Sequence, residues 1–408
     1  MSATTVPTAT SLPAVAMPSL PPAAYTDPLL YEQELAEVYG RSWILVGHAS
    51  ELAQPGQYLT LDIGLEPVVV VRGYDGVLRA MSNVCRHRAS TILEGAGHVK
   101  RVMRCPYHAW TYDLDGQLAA APQARGFACL DRDSIALPRF RVEEWAGLVF
   151  CGTDPAMSLD DLLGPVKPFL ETFGLADLEV FQWPEHGPRK DEVFAENWKI
   201  LADNYLEDYH VPVAHPALVR LLDVKQTFGE SNEWSEWSVL PMRSKPSRDE
   251  TERRYQEIVR RAPGMPEIME RRWGHICIWP GTFMELYPHH IDTWQLDPLG
   301  LGSTRARTFT LIHPDAGPDA ALARDLMHEL MVDVMAEDVE ITTRVQRGVR
   351  APSYQGGILN DEQEPSVVRF HTKLRELLPR IEELETRPQH ERWQGRAGST
   401  RTGPDADG

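Results

Sequence analysis

Two short pairs, Cys85-x-His87 and Cys105-x-x-His108, sit in the run CRHRASTILEGAGHVKRVMRCPYH and constrain this chain more than any other feature. Thiolate and imidazole donors gathered four at a time select zinc or an iron–sulfur cluster. Zinc fingers pair like with like, Cys beside Cys and His beside His. Here each pair mixes one Cys with one His, and 17 residues separate the pairs. That arrangement suits a two-iron cluster with Cys85 and Cys105 on one iron and His87 and His108 on the other. Imidazoles in place of thiolates raise the reduction potential of such a cluster, so it takes up one electron readily. A structural zinc site and unconnected Cys and His in a β core are the competing readings.

The surroundings of the pairs read as a small all-β module. QYLTLDI, PVVVVRG, VLRAMSNV, QLAAAP and AGLVFC are short β-type runs, and Asp75-Gly76 and Asp115-Gly116 fall between apolar runs as hairpin turns do. After about residue 156 the pattern changes. A helix is expected over 194–209, strands around 237–241, 275–288 and 305–313, a long helix over PDAALARDLMHELMVDVMAEDVEITTRVQRGV, and a last helix over 364–386. The expected organisation is an N-terminal arm (1–38, partly disordered), an all-β domain (39–155), an α+β domain with an antiparallel sheet flanked by helices (156–386), and a disordered tail (387–408).

Composition excludes several functions. With 41 Lys+Arg against 59 Asp+Glu, the formal charge is −18. Such a surface repels nucleic-acid backbones and anionic lipid. No apolar run approaches the roughly 20 residues of a membrane helix. The Pro-punctuated start lacks the basic flank of a signal peptide, and five cysteines make no disulfide framework. The expectation is a cytoplasmic protein with neither a nucleic-acid nor a membrane partner.

The string CRHRA…CPYHAWTYDLDG resembles the Rieske [2Fe–2S] domain of the Rieske non-haem iron oxygenases, with the four ligands, the Pro106-Tyr107 step and Trp110 in place together. GRSWILVGHASEL and EEWAGLVFC are similar to that family too. Its members often carry Gly where this chain has Ala89 and Ala109; neither residue is a ligand.

Residues 197–216, NWKILADNYLEDYHVPVAHP, offer His210 and His215. On an ideal helix a spacing of five sets side chains about 140° apart, so the pair converges only if the helix ends between them, and Pro212 is the expected break. Alone, two such histidines could be ordinary core or surface residues. The string, with Asn197-Trp198-Lys199, Asp203-Asn204, Glu207 and Tyr209, resembles the iron-binding segment of the same family. The resemblance implies that His210 and His215 bind a mononuclear Fe(II), completed by a carboxylate. Asp333, Glu337, Asp338 and Glu340 are candidates. The family places its aspartate before a Gln-x-Gly element, which favours Asp338, eight residues before Gln346. Glu207 is then the acid that joins His210 to His108 of a neighbouring subunit, and Asn204 lies near the iron without binding it. Many members have Asp at this bridge; Glu is typical of a branch that includes oxygenases of choline-like and betaine-like amines.

What the resemblance implies is a terminal oxygenase. It would use O₂ and NAD(P)H electrons from a separate reductase or ferredoxin, since the chain has no dinucleotide fingerprint. It would hydroxylate an aromatic ring, in the catabolism of aromatic compounds, or oxygenate and demethylate an amine. A homotrimer is expected. The alternative is a Rieske-type electron carrier with a non-catalytic second domain. Trp234, Trp237, Trp279, Phe283, Tyr287 and Trp294 are candidate pocket aromatics, while His275, His289 and His290 are either structural or substrate-facing.

Overall fold

The four valines of the run PVVVV are all buried because the strand is covered on both sides. Side chains alternate across a strand, so Val68 and Val70 enter the large core shared with the rest of the chain while Val69 and Val71 enter a second core around Cys85 and Cys105. The computed structural model describes residues 17–127, 129–260 and 266–386. The expected tail and the first sixteen residues of the arm lie outside them.

The first domain has ten strands: β1 (Ile44–His48), β2 (Gln57–Ile63), β3 (Glu66–Arg72), β4 (Leu78–Ser82), β5 (Ala96–His98), β6 (Val102–Arg104), β7 (Thr111–Asp113), β8 (Leu118–Ala120), β9 (Arg139–Trp145) and β10 (Leu148–Gly152). Seven form an antiparallel sheet in the order β1-β10-β9-β4-β3-β2-β5, and β6-β7-β8 form a separate small sheet. Asp75-Gly76 turns β3 into β4 and Asp115-Gly116 turns β7 into β8. Both glycines have positive φ, 80° and 84°, which a side chain would resist.

The second domain contains β11 (Glu179–Val180), β12 (Lys190–Phe194), α1 (Trp198–Tyr205), α2 (Val211–Ala214), β13 (Phe228–Ser231), β14 (Ser235–Pro241), β15 (Arg272–Ile278), β16 (Thr282–Leu286), β17 (His290–Gly300), β18 (Ser303–Ile312), α3 (Pro318–Gly348) and α4 (Pro365–Leu377). The sheet order is β11-β18-β17-β16-β15-β14-β13, with β12 also paired to β18, all antiparallel. An all-β domain thus precedes an α+β domain, as expected.

Four local expectations change. The run at 275–288 is the hairpin β15–β16, and β17 went unread. The last helix breaks at Leu378, ahead of Pro379, and resumes at Arg380. The helix expected over 194–209 spans only 198–205: Asn197 caps its start, its Oδ1 accepting from Lys199 N at 3.1 Å. Pro212 does not break a helix. It sits in the first turn of α2, where its missing N–H costs no bond.

From Met17 the arm is built into the second domain. Met17–Pro18 pairs with Ile358–Leu359, and Leu20, Ala24, Tyr25 and Leu30 are buried. Glu34 is buried against Lys199 Nζ at 2.6 Å and accepts from Trp198 Nε1 at 2.8 Å. A buried pair like this is costly unless both ions are satisfied, so it ties the arm to the first turn of α1. Among the described residues no helix is long and apolar enough to cross a membrane.

Candidate metal centres

Cys85 and Cys105 open two loops of the same construction. In the first, Cys85 N–H donates to Ser90 O (2.9 Å) and Ala89 N–H to Cys85 O (3.1 Å); in the second, Cys105 N–H donates to Trp110 O (2.8 Å) and Ala109 N–H to Cys105 O (3.1 Å). Each loop closes only because its alanine adopts φ of 57°, a left-handed conformation. For an L residue this costs about 1–2 kcal/mol, against the roughly 0.5–1 kcal/mol that Gly loses in entropy. Ala89→Gly and Ala109→Gly should therefore each stabilise the first domain, by about 0.5–1 kcal/mol. A raised unfolding midpoint with unchanged iron content is the check.

The loops bring the four donors together. The rings of His87 and His108 lie 4.6 Å apart, and His87 stacks on Trp110 at 5.0 Å. Both thiols are free and buried. The His87 Nδ1 atom is buried without any hydrogen-bond partner, as a metal-binding nitrogen must be before its metal arrives. Burial pushes the Cys105 thiol up, but the N–H groups of Tyr107 and His108 outweigh it and hold it below the usual thiol range. Tyr112 OH lies 3.4 Å from Cys85 Sγ and accepts from Arg86 N at 2.9 Å. Two sulfurs beside N–H donors and two imidazoles fit a Rieske cluster, with no donor left over.

The second centre forms where α1, α2 and α3 meet. His210 and His215 bracket the single turn of α2, and their rings are 5.1 Å apart at 81°. Asp338 on α3 closes the group: its Oδ1 is 3.0 Å from His215 Nε2 and 3.6 Å from His210 Nε2. The three ligand atoms lie within 4.8 Å of one another, as a two-His-one-carboxylate face requires. Asn204 Nδ2 donates to the same Asp338 oxygen at 3.0 Å and lies 3.3 Å from His210 Nε2.

The other three acids separate by helix position. Glu337 Oε2 is 2.8 Å from His215 Nδ1, an orienting partner that sequence reasoning did not assign. Asp333 is exposed, and Glu340 pairs with Arg344 on the outside. Gln346 shows what the Gln-x-Gly element does: its Oε1 accepts from Asn197 N at 2.7 Å and fixes α3 against the start of α1. Glu207 is in the bend after α1. Its carboxylate receives His210 N at 3.0 Å and sits 2.5 Å from His210 Nδ1. Among the described residues, no side chain from the first domain joins that contact.

A cavity of about 180 Å³ runs from these donors to the sheet. Register puts Phe283 opposite Trp294, Glu285 opposite Asp292 and His275 opposite Glu285, so one sheet face supplies its wall. Tyr205, Asp208, Trp273 and Tyr287 complete that wall. Of the six aromatics singled out, Phe283, Tyr287 and Trp294 line the cavity. Trp237 lies on the other face, stacked on Phe169 at 4.1 Å, and Trp234 and Trp279 flank a separate small cleft. His289 and His290 are buried outside it.

Residues 42–138 match the Rieske [2Fe-2S] domain, and residues 177–380 match the catalytic domain of the ring hydroxylating alpha subunit. The chain belongs to the Rieske-type ring-hydroxylating oxygenases. It is 32% identical to the carnitine monooxygenase oxygenase subunit of Escherichia coli (strain K12), over 87% of this chain and 92% of that one. It is 28% identical to the glycine betaine monooxygenase oxygenase subunit of Chromohalobacter salexigens, over 86% and 84%. A solved quaternary ammonium Rieske monooxygenase, described with carnitine oxidation and inter-subunit electron transfer, superposes with a TM-score of 0.74 at 27% identity, covering 89% of this chain and 96% of that one. The protein is thus an oxidoreductase, the terminal oxygenase of a Rieske system. A [2Fe–2S] cluster and a mononuclear iron serve it, and a separate reductase supplies electrons for O₂ chemistry on a small molecule. The electron-carrier alternative falls with the catalytic-domain match.

Proposed function

We propose that this oxygenase acts on a small methylated amine, placing one oxygen atom in a C–H bond next to nitrogen. The observation that carries the reading is the cavity wall. Aromatic rings of Tyr205, Phe283, Tyr287 and Trp294 stand beside the carboxylates of Asp208, Glu285 and Asp292, and no Lys or Arg is among the described residues that line the cavity. Ring faces attract an alkylated ammonium and stack on an aromatic ring alike, but the carboxylates favour the cation alone. The likeness to carnitine and glycine betaine oxygenases favours the same choice over aromatic-compound catabolism. The carbinolamine formed would collapse to the amine and a carbonyl compound, formaldehyde when an N-methyl group is attacked. The second oxygen atom leaves as water on two electrons and two protons.

In this reading Cys85, His87, Cys105 and His108 hold the cluster, and His210, His215 and Asp338 hold the catalytic iron. The iron, when bound, supplies a site for O₂ activation beside the substrate. Asn204 holds the Asp338 carboxylate, Glu337 fixes the His215 ring, and Glu207 holds the proton on His210 Nδ1. The domain limits 39–155 and 156–386 go with this assignment, as does a cytoplasmic setting where NAD(P)H is supplied.

A head-to-tail trimer completes the reading. The first domain exposes Arg86 and Arg88 in the first cluster loop, Lys100 and Arg101 in the turn between β5 and β6, and Arg104 at the end of β6, none in an ion pair among the described residues, while the outer face of α3 exposes Glu329, Asp333 and Glu340 with Val332. A cationic collar on one copy and an acidic helix beside the next copy's iron site are complementary, and a heterologous contact closes only as a ring.

Reconstitution with an NAD(P)H reductase tests the substrate class. Methylated amines are expected to drive coupled O₂ consumption with release of formaldehyde or another aldehyde. Coupled turnover of small aromatic acids, with none of amines, would overturn the proposal.

A further inference from the structure

His275 is a half-buried cation-forming side chain in a cavity lined mostly by acids and apolar groups. Outside the metal-site pair His210 and His215, it is the one basic residue among those lining the cavity. It lies on β15 directly across from Glu285 on β16, with its Nε2 3.2 Å from Glu285 Oε2. The ring is a quarter exposed and Glu285 less so, and both line the cavity, so what they present faces its interior. The second ring nitrogen makes no hydrogen bond among the described residues. An apolar pair would fill this wall at lower cost, because two ions taken out of water recover their desolvation only with full hydrogen bonding. One N–H of the pair still lacks a partner.

We propose that His275 is a specificity-determining residue: its free N–H, charged by pairing with Glu285, receives a carboxylate at the end of the substrate away from the iron ligands. This rests on the cavity being the substrate site and deepens the amine reading, since it makes the substrate a zwitterion, an alkylated ammonium carrying a carboxylate. Glu285 is the positioning residue.

The charge state agrees with the geometry. Burial alone would lower the His275 pKa, but Glu285 and then Asp208 and Glu236 outweigh it and push it up to about 9. Glu285 comes from β16, Asp208 from the bend after α1, Glu236 from β14, and Tyr205 from α1 packs 5.8 Å from the ring. Asp292 is held down despite its burial by His290, and its Oδ1 accepts from Thr310 Oγ1 at 2.5 Å.

The test uses the iron-loaded, cluster-containing protein and two half-substrates in calorimetry, butyrate for the anionic end and tetramethylammonium for the cationic end. His275→Gln keeps an N–H donor but loses the charge. It is expected to weaken butyrate at least about tenfold, as loss of a charge-assisted hydrogen bond implies, while tetramethylammonium binds no more weakly than to wild type. Wild-type affinity for butyrate should fall as pH rises through about 9. In Glu285→Gln that fall should move to lower pH, which a merely structural role would not produce. Equal butyrate affinity in wild type and His275→Gln, as direct ligation of the iron would give, overturns the proposal. So does absence of butyrate binding to wild type. If the Gln variant does not fold, a flat wild-type profile from pH 7 to 10 overturns it as well. Failure of tetramethylammonium alone sinks the amine reading and leaves the carboxylate site standing.

Discussion

Asp338→Ala is expected to leave a normal Rieske absorption spectrum and to lower turnover by on the order of a thousandfold or more, beyond the roughly 10–100-fold that losing an outer partner costs a metal site. The cluster donors and Asp338 belong to different domains, so the change strips one site and spares the other. At the second site the loss is compound. Asp338 Oδ1 is the point on which His215, His210 and Asn204 converge, at 3.0, 3.6 and 3.0 Å. Removing it takes away the one anionic donor and leaves the Asn204 amide without its acceptor. Two neutral imidazoles bind Fe(II) weakly without a carboxylate.

Glu337→Ala separates ligand from support. It removes the partner of His215 Nδ1, and the expected cost is about 10–100-fold in iron affinity, recoverable by adding Fe(II). Asp333→Ala should leave iron content unchanged. If Asp338→Ala keeps its iron and its activity while Glu337→Ala loses both, the assigned carboxylate is wrong.

These variants also mark what the sequence could reveal. Metal donors are legible because few residue types do the work and because short spacings hold them on one loop. Cys85, His87, Cys105 and His108 could be read that way, and the two alanines at φ 57° mark both loops at positions where family members often carry Gly. Asp338 was legible only through resemblance. Four acids lie within eight residues of α3, and which of them faces α2 depends on how Gln346 seats that helix against Asn197. The sorting of the aromatics was illegible for a related reason. Trp237 and Phe283 look alike in sequence, but Trp237 pairs with Ile276, whereas Phe283 pairs with Trp294 on the cavity face. Face depends on register across four strands, and one of those strands, β17, could not be read from local pattern. The burial of Glu34 against Lys199 is a contact between residues 165 positions apart, and nothing local signals it.

Glu207→Gln should preserve both metal centres and cut the rate at which a pre-reduced cluster is oxidised by O₂ and substrate by about a hundredfold or more, the scale on which mispositioning costs a reaction step. Two interactions of Glu207 are visible in one chain: its carboxylate accepts from His210 N at 3.0 Å and sits 2.5 Å from His210 Nδ1. A carboxylate can accept from two imidazole N–H groups at once; an amide has one acceptor oxygen and offers its nitrogen as a donor where a second N–H arrives. If His108 of a neighbouring copy supplies that second N–H, the Gln variant keeps the His210 contact and breaks the other. The cluster should then reduce normally, iron should remain bound, and only transfer between them should slow. Glu207→Asp, which retains the charge on a shorter arm, should recover part of the rate. The collar gives an independent handle on the same contact. Reversing Arg101 and Arg104 to Glu should weaken assembly and slow transfer together, more so at low salt where the charges are least screened. Wild-type transfer in Glu207→Gln, or in a protein shown to be monomeric during turnover, would remove Glu207 from the path and the ring with it.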